Sequence, residues 1–479
     1  MHMLHIDKGV WGALLAGLIM SFSPNAASAE TLEAVLSSTY SGNPEMNAER
    51  AKLRALDEEN PRARSGYRPQ VRLDADITSR RIDTKPPLTS DERRRTGGYT
   101  VSLVQPLFRG LRTINSIRKA DADIYAGRED LRSTEQQTFL KAVTAYVDVI
   151  RDRALLRLRR NNVSVLAEQR RATRDRFSVG EVTKTDVAQS NAAHSGSISD
   201  LNLAQANLKT SRAIFEQVVG HNPNGLRTPR AIVKYLPRSL KGSMKRGMDE
   251  HPTILAAAYR EIAATHTIHL IRGEFLPSIN VEGSYTDRIH PASGLDRQGT
   301  TTIKGTFSMP LYAAGDTSAR VRQAKQVVLQ RRQDLQTARR LTRADVISNW
   351  GQVSSIRAKL IADRSQVSAS RTALDGVREE EKVGQRTVLD VLDAQQTLLN
   401  AQVTLTTTKR NLVVASYQLL AATGRLSAAE LGLRVDRYEA KNHYEHVERK
   451  WFGTRVEEYN EEFERRALTN DRYFPESYR

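Results

Sequence analysis

Residues 383–394 read Val383-Gly384-Gln385-Arg386-Thr387-Val388-Leu389-Asp390-Val391-Leu392-Asp393-Ala394. A glycine can end one helix in the left-handed conformation and a threonine can cap the next, so this stretch is a helix–turn–helix tip. The same pattern stands 204 residues earlier as Val179-Gly180-Glu181-Val182-Thr183, followed by Asp186-Val187. That offset also links Pro106-Leu107-Phe108 with Pro310-Leu311-Tyr312, Tyr146 with Trp350, Asp130-Leu131 with Asp334-Leu335, and Gly220 with Gly424. Further upstream, Asn43-Pro44 matches His251-Pro252, and Tyr67-Arg68-Pro69 matches Phe275-Leu276-Pro277, at an offset of 208. So many matches in one register mark an internal duplication.

Each half is expected to run helix, two strands, a very long helix, then a second helix. In the first strand Val71, Leu73, Ala75 and Ile77 alternate with Arg72, Asp74, Asp76 and Thr78; in the second, Tyr99, Val101 and Leu103 alternate with Thr100 and Ser102. The second half repeats this with Ile279, Val281 and Tyr285 against Asn280, Glu282 and Thr286, then Ile303, Phe307 and Met309 against Thr302, Lys304 and Thr306. Period-two alternation over about ten residues suits a tilted membrane-crossing strand, and equally a soluble sheet with one wet face. Four strands cannot close a membrane barrel, since single-chain barrels start at about eight, and lipid tolerates no open edge. If these strands cross a bilayer, several chains must pool them.

Beyond each strand pair the period becomes helical. No proline interrupts residues 315–382, a helix of roughly 100 Å at about 1.5 Å per residue. In the helix after it, Val391, Leu398, Leu405, Leu412 and Leu419 recur every seven residues, with Ala394, Ala401, Thr408, Ala415 and Ala422 three positions on. Its counterpart carries Val187, Leu201, Leu208 and Phe215 with Ser190, Ser197, Ala204 and Ser211. This large-plus-small heptad predicts knobs-into-holes packing. Periodicity leaves open whether the coiled coil builds a rod or a tube.

The expected organisation is a leader over residues 1–29, a first repeat over 30–220, a linker over 221–250, a second repeat over 251–433 and a tail over 434–479. Strands are placed at about 68–80, 98–108, 277–287 and 300–309, and long helices at about 111–177, 184–219, 316–382 and 387–422. The leader has Lys8, the apolar run Val10 to Met20 and the small-residue site Ala27-Ser28-Ala29. It reads as a secretory signal peptide cut before Glu30. A mean hydropathy of −0.52 and 27% charged residues describe a water-compatible chain that is nonetheless exported. There are no cysteines, which excludes disulfides, a thiolate nucleophile, a Cys-type zinc site and a lipid-accepting cysteine. The net charge of +18 does not indicate nucleic-acid binding, because arginines alternate with acids along helical faces instead of forming a stripe with aromatics.

Leader, paired strand hairpins, duplicated long helices and the two VGxxT turns together resemble the TolC outer-membrane efflux family, from about Thr31 to about Leu433. The stretch VGQRTVLDVLDA, Val383 to Ala394, is its most specific piece. The resemblance implies a homotrimer in which three chains each give four strands to one twelve-stranded outer-membrane β-barrel, continuous with a periplasmic α-helical barrel. It implies a passive channel, opened by a periplasmic adaptor (membrane-fusion) protein and an inner-membrane pump, that exports drugs, toxins or a secreted polypeptide.

The resemblance also assigns residues. Asp390 and Asp393 would form a carboxylate constriction at the inner end of the tube, its pKa values raised by mutual repulsion. By themselves, acids in a helix's first turn read as partners of the helix dipole. Arg386 and Asp186 match a salt bridge that holds the inner end shut. Where the family has a tyrosine two residues before Val383, this chain has Glu381, and Phe177 occupies the matching place in the first half. Val179, Gly180, Thr183, Val383, Gly384 and Thr387 match tips that contact the adaptor.

No catalytic motif stands out, and neither a cofactor nor a metal is expected: His266 and His269, like His443 and His446, lie three apart without a convincing third ligand. His194 falls in the heptad register, where packing is expected. The tail is charged yet rich in aromatics, and its sequence is compatible with wrapping the tube or with mobility. The rival reading, a periplasmic structural or adhesive coiled-coil protein, has no use for four amphipathic strands in duplicate.

Overall fold

The structure is a computed structural model describing residues 30–82, 92–229, 236–292 and 294–456. The expected leader and the end of the tail, residues 457–479, lie outside the described residues. The chain is mainly helical with one small sheet.

Three short helices, α1 (Leu32–Gly42), α2 (Pro44–Asp57) and α3 (Glu59–Arg64), lead into strands β1 (Gln70–Ile82) and β2 (Glu92–Arg109). Then come the long α4 (Arg112–Ser178) and its return partner α5 (Lys184–Val219). The second half repeats the plan with α6 (Leu240–Glu250), α7 (Pro252–Arg272), β3 (Ser278–Ala292), β4 (Leu295–Ser308), α8 (Asp316–Lys382) and α9 (Val388–Ala422), before a short α10 (Ala440–Val447). The duplication is visible in lengths: α4 and α8 each have 67 residues, and α5 and α9 have 36 and 35. At about 1.5 Å per residue the long helices reach roughly 100 Å. No helix among the described residues is long and apolar enough to cross a membrane.

The Asn-Pro and His-Pro pairs show why the two halves start alike. Pro44 and Pro252 open α2 and α7, where a missing N–H costs nothing. Asn43 Oδ1 accepts from Glu45 N at 2.9 Å, and His251 Nδ1 accepts from Thr253 N at 3.3 Å. Where the halves cross, Gly110 and Gly273 pack backbone to backbone: a Cβ on Gly110 would stand 2.1 Å from the Gly273 carbonyl oxygen.

The principal core lies midway along α4. Phe139, Val143, Tyr146 and Val149 are fully buried against Leu36 of α1, Phe215 of α5, Leu420 of α9 and Leu426. Burial pushes the Tyr146 hydroxyl up to about 12, and it donates to the Glu30 carbonyl at 2.9 Å and the Arg227 carbonyl at 2.6 Å. Between α8 and α9 the heptad is used: Ala415 and Leu419 pack with Val353 beside the principal core, and Val391 and Leu398 with Leu374 nearer the reversal. Thr408, at a small heptad position, donates to buried Asp363 at 2.5 Å, and Lys359 reaches the same carboxylate at 2.9 Å. The described part of the tail packs rather than dangling. Val447 is buried, Tyr444 donates to Asp121 at 3.0 Å, and Arg68 lies 4.7 Å over the Trp451 ring.

The sheet is antiparallel in the order β1-β2-β3-β4, so β1 and β4 are both open edges. The register puts Val71, Leu103 and Ile303 on one face, with Leu73, Val101 and Tyr285 on the next rung. The opposite face carries Arg72, Ser102, Ser284 and Thr302, then Asp74, Thr100, Thr286 and Thr300. The ladder also runs further than the apolar alternation suggests. Segments that read as charged loops, Arg80 to Gly98 and Asp287 to Gly299, largely continue the hairpins: β1 reaches Ile82, β2 starts at Glu92, β3 reaches Ala292 and β4 starts at Leu295. Backbone pairing propagates whatever the side chains, so where the apolar band stops the ladder goes on with polar residues.

Candidate functional site

The two helix reversals lie at the far end of the long helices from the sheet. Gly180 and Gly384 have φ of 81° and 78°, with nothing within 4 Å of a Cβ at either position. The glycines are therefore required by backbone conformation and not by space. Val179 and Val383 are each 71% exposed, an apolar pair left in the open at the tips.

Each reversal is followed by a capping box. Thr183 N and Oγ1 both donate to Asp186 Oδ2 at 2.8 Å, and Asp186 N donates back to Thr183 Oγ1 at 3.2 Å. In the second half Thr387 N and Oγ1 donate to Asp390 Oδ2 at 2.9 Å, and Asp390 N donates to Thr387 Oγ1 at 3.2 Å. These Thr387 hydrogen bonds, the backbone one foremost, hold the Asp390 carboxyl below the usual carboxylate range. The carboxylate ring that the resemblance implies would raise it by mutual repulsion; within one protomer the cap dominates. Asp393, one turn on, is exposed and lines a groove with Gln189 and Asp200 of α5.

Asp186 and Arg386 are not paired within the protomer. Asp186 serves its cap, and Arg386 Nε meets Glu380 Oε2 at 2.8 Å. A different ion pair ties the two hairpins together: Arg176, at the end of α4, bonds Glu381, at the end of α8. Glu381 thus occupies the tyrosine position with a charged partner of its own. Behind it, Leu166 of α4 packs on Val388 and Leu392 of α9, and higher up Arg410 reaches Asp148 at 2.7 Å. Nothing in the sequence marks Arg176, because its partner lies 205 residues away.

Among the histidines, His194 is half-buried with Arg170 Nη1 3.3 Å from its Nδ1, and His443 lies 3.0 Å from Asp57. Among the described residues, no group of three or more His, Cys, Asp or Glu stands ready to hold a metal.

A strand-hairpin sheet with one apolar face, fused to duplicated antiparallel coiled coils roughly 100 Å long, defines a class: subunits of bacterial outer-membrane exit ducts. The model of the outer membrane efflux protein family matches residues 35–221 and 246–425, and the chain belongs to that family. Outer membrane efflux protein BepC of Brucella suis biovar 1 is 40% identical over 445 residues, covering 92% of this chain and 95% of that protein. Outer membrane protein TolC of Vibrio cholerae is 25% identical over 425 residues, covering 86% and 95%. The crystal structure of the Campylobacter jejuni CmeC outer membrane channel superposes with a TM-score of 0.77 at 14% identity, covering 94% of this chain and 98% of that one. The protein is accordingly an outer-membrane channel subunit for efflux and secretion.

Proposed function

We propose that three copies assemble by joining edge β4 of one to edge β1 of the next, closing a twelve-stranded barrel, while their helices continue as one tube across the periplasm. The open four-stranded sheet carries this reading. Val71, Leu73, Ile77, Ile303 and Phe307 are between 66% and 91% exposed on its apolar face, where they suit lipid once the edges are paired. Flanking helices support it too, with Leu203 on α5 and Leu341 and Ile361 on α8 60–68% exposed, positions a neighbouring copy would cover.

In this assembly the polar face lines a passive aqueous duct for drugs, toxins or a secreted polypeptide, energised by an inner-membrane pump. The tips at Val179, Gly180 and Thr183 and at Val383, Gly384 and Thr387 dock the periplasmic adaptor. Asp390 and Asp393 from three copies ring the inner end as a cation-favouring constriction. Arg386 acts in gating, either by exchanging Glu380 for Asp186 of an adjacent copy or by holding Glu380. Arg176–Glu381 adds a latch within each protomer. Cross-linking tests the assembly: cysteines placed on β4 and β1 at facing positions should yield a covalent trimer in outer membranes. Pairs that link only within one chain would refute it.

A further inference from the structure

The outer edge of β4 stops short of the length its own counterpart reaches. Pairing between β1 and β2 ends at Gln70 opposite Val104, and pairing between β3 and β4 ends at Ser278 opposite Ser308. Val104 and Ser308 are counterparts at the 204-residue offset. Beyond Val104, β2 continues beside β3, with Phe108 facing Ile279 and Arg109 facing Ser278. Beyond Ser308 the equivalent residues, Met309 to Ala313, leave the strand, and Leu311 and Tyr312 are 92% and 87% exposed. What β3 supplies to β2 is missing there. The counterpart of β3 is β1, which within one protomer stands at the far edge of the sheet, roughly 14 Å away at three strand spacings.

The tail lies at the helix-side end of β1. Where β2 and β3 meet within the chain, Leu276 closes on Gly110, its Cβ 3.0 Å from where a Gly110 Cβ would stand. The counterparts of Leu276 and Gly110 are Arg68 and Ala314. An arginine therefore replaces the leucine of the internal junction, and the tail covers it. Arg68 Nη1 donates to the Lys450 carbonyl at 2.8 Å, and its guanidinium lies over the Trp451 ring. Trp451 and Phe452, with ring centroids 6.3 Å apart, are 57% and 86% exposed. Each open edge of the sheet thus ends in an uncovered apolar pair at the same height, and large apolar groups in the open mark surfaces made to be covered.

We infer that the tail is an intersubunit staple: Trp451 and Phe452 of one copy pack on Leu311 and Tyr312 of the copy whose β4 joins its β1. This rests on the β4-to-β1 closure proposed above. Carrying the β2–β3 register over by the two offsets extends β4 through Ala313 and sets Tyr312 of one copy opposite Val71 of the next. The partner is a second copy of this chain, because the two apolar pairs stand on opposite edges of one sheet and only closure of the ring brings them together.

The chain has no cysteine, so the test uses two introduced pairs in the full-length protein, treated in outer membranes with a short bis-maleimide and read on denaturing gels. Leu311→Cys with Phe452→Cys reports the staple, and Tyr312→Cys with Val71→Cys reports the strand closure. Both should give covalent trimers, while single-cysteine variants should stay monomeric. Trimers of a Trp451→Ala, Phe452→Ala variant should dissociate in SDS several degrees below the parent. A Trp451→Phe, Phe452→Tyr variant should match the parent, which guards against a folding defect. If the strand pair links between copies and the staple pair does not, the staple falls and the barrel stands; if neither pair links, both fall. Alanine trimers as stable as the parent would also overturn the staple. So would strong quenching of Trp451 fluorescence by brominated phospholipid, which would put the pair in lipid.

Discussion

Replacing Glu381 with glutamine should loosen the inner end of the channel. Glu381 is the partner of Arg176, and their side chains are 12% and 33% exposed. An exposed ion pair contributes at most about 1 kcal/mol, and a well-buried charged hydrogen bond about 1.5–3 kcal/mol. For this half-buried pair about 1 kcal/mol per protomer is reasonable. If opening of the proposed trimer separates the α4/α5 hairpin from the α8/α9 hairpin, three latches break together, so about 3 kcal/mol leaves the closed state. Since about 1.4 kcal/mol is a tenfold change, the open-to-closed ratio should rise on the order of a hundredfold in single-channel recordings. Arg176→Gln should do the same, and the double variant should add little, because either change alone removes the pair. A swapped pair, Arg176→Glu with Glu381→Arg, should restore the parent's gating. Single variants that gate like the parent, or effects that simply add, would refute the latch.

Arg386→Ser frees Glu380 and should raise conductance; unchanged currents would remove Arg386 from gating. His251 caps α7 through Nδ1, and burial lowers its pKa below the ordinary imidazole value. The neutral ring is therefore the one folding favours. Its contribution is present above an unfolded pKa of about 6.5 and is lost as pH falls through the lower folded value. His251→Asn, which copies the cap at Asn43, should abolish that acid-side loss in thermal melts and cost less than about 1 kcal/mol near neutral pH. A melt whose pH dependence is unchanged would exclude His251 as the titrating cap.

Much of the architecture was legible because its signals are local or periodic. The heptad from Val391 to Leu419 dictates a coiled coil, and the alternation from Val71 to Ile77 dictates a strand with one apolar face. Strand ends were not legible, since Arg93-Arg94-Arg95 reads as loop while the ladder pairs it regardless of side chain. The tips were legible through Gly180, Gly384 and their threonines. Asp390 and Asp186 were legible as acids in a helix's first turn, but a motif cannot distinguish carboxylates held by their cap threonines, as Thr387 and Thr183 hold these, from carboxylates aimed into a pore. The Arg176–Glu381 link was invisible, because a contact between residues 205 apart exists only once both hairpins are packed.

The most direct test is planar-bilayer recording of the detergent-extracted protein beside an Asp390→Ala, Asp393→Ala double variant. Asp393→Ala alone runs in parallel, because Asp390 also caps α9. Small cation-selective currents from the parent that lose their selectivity in the variants are expected. A parent protein that extracts with buffer alone and carries no current would contradict the channel.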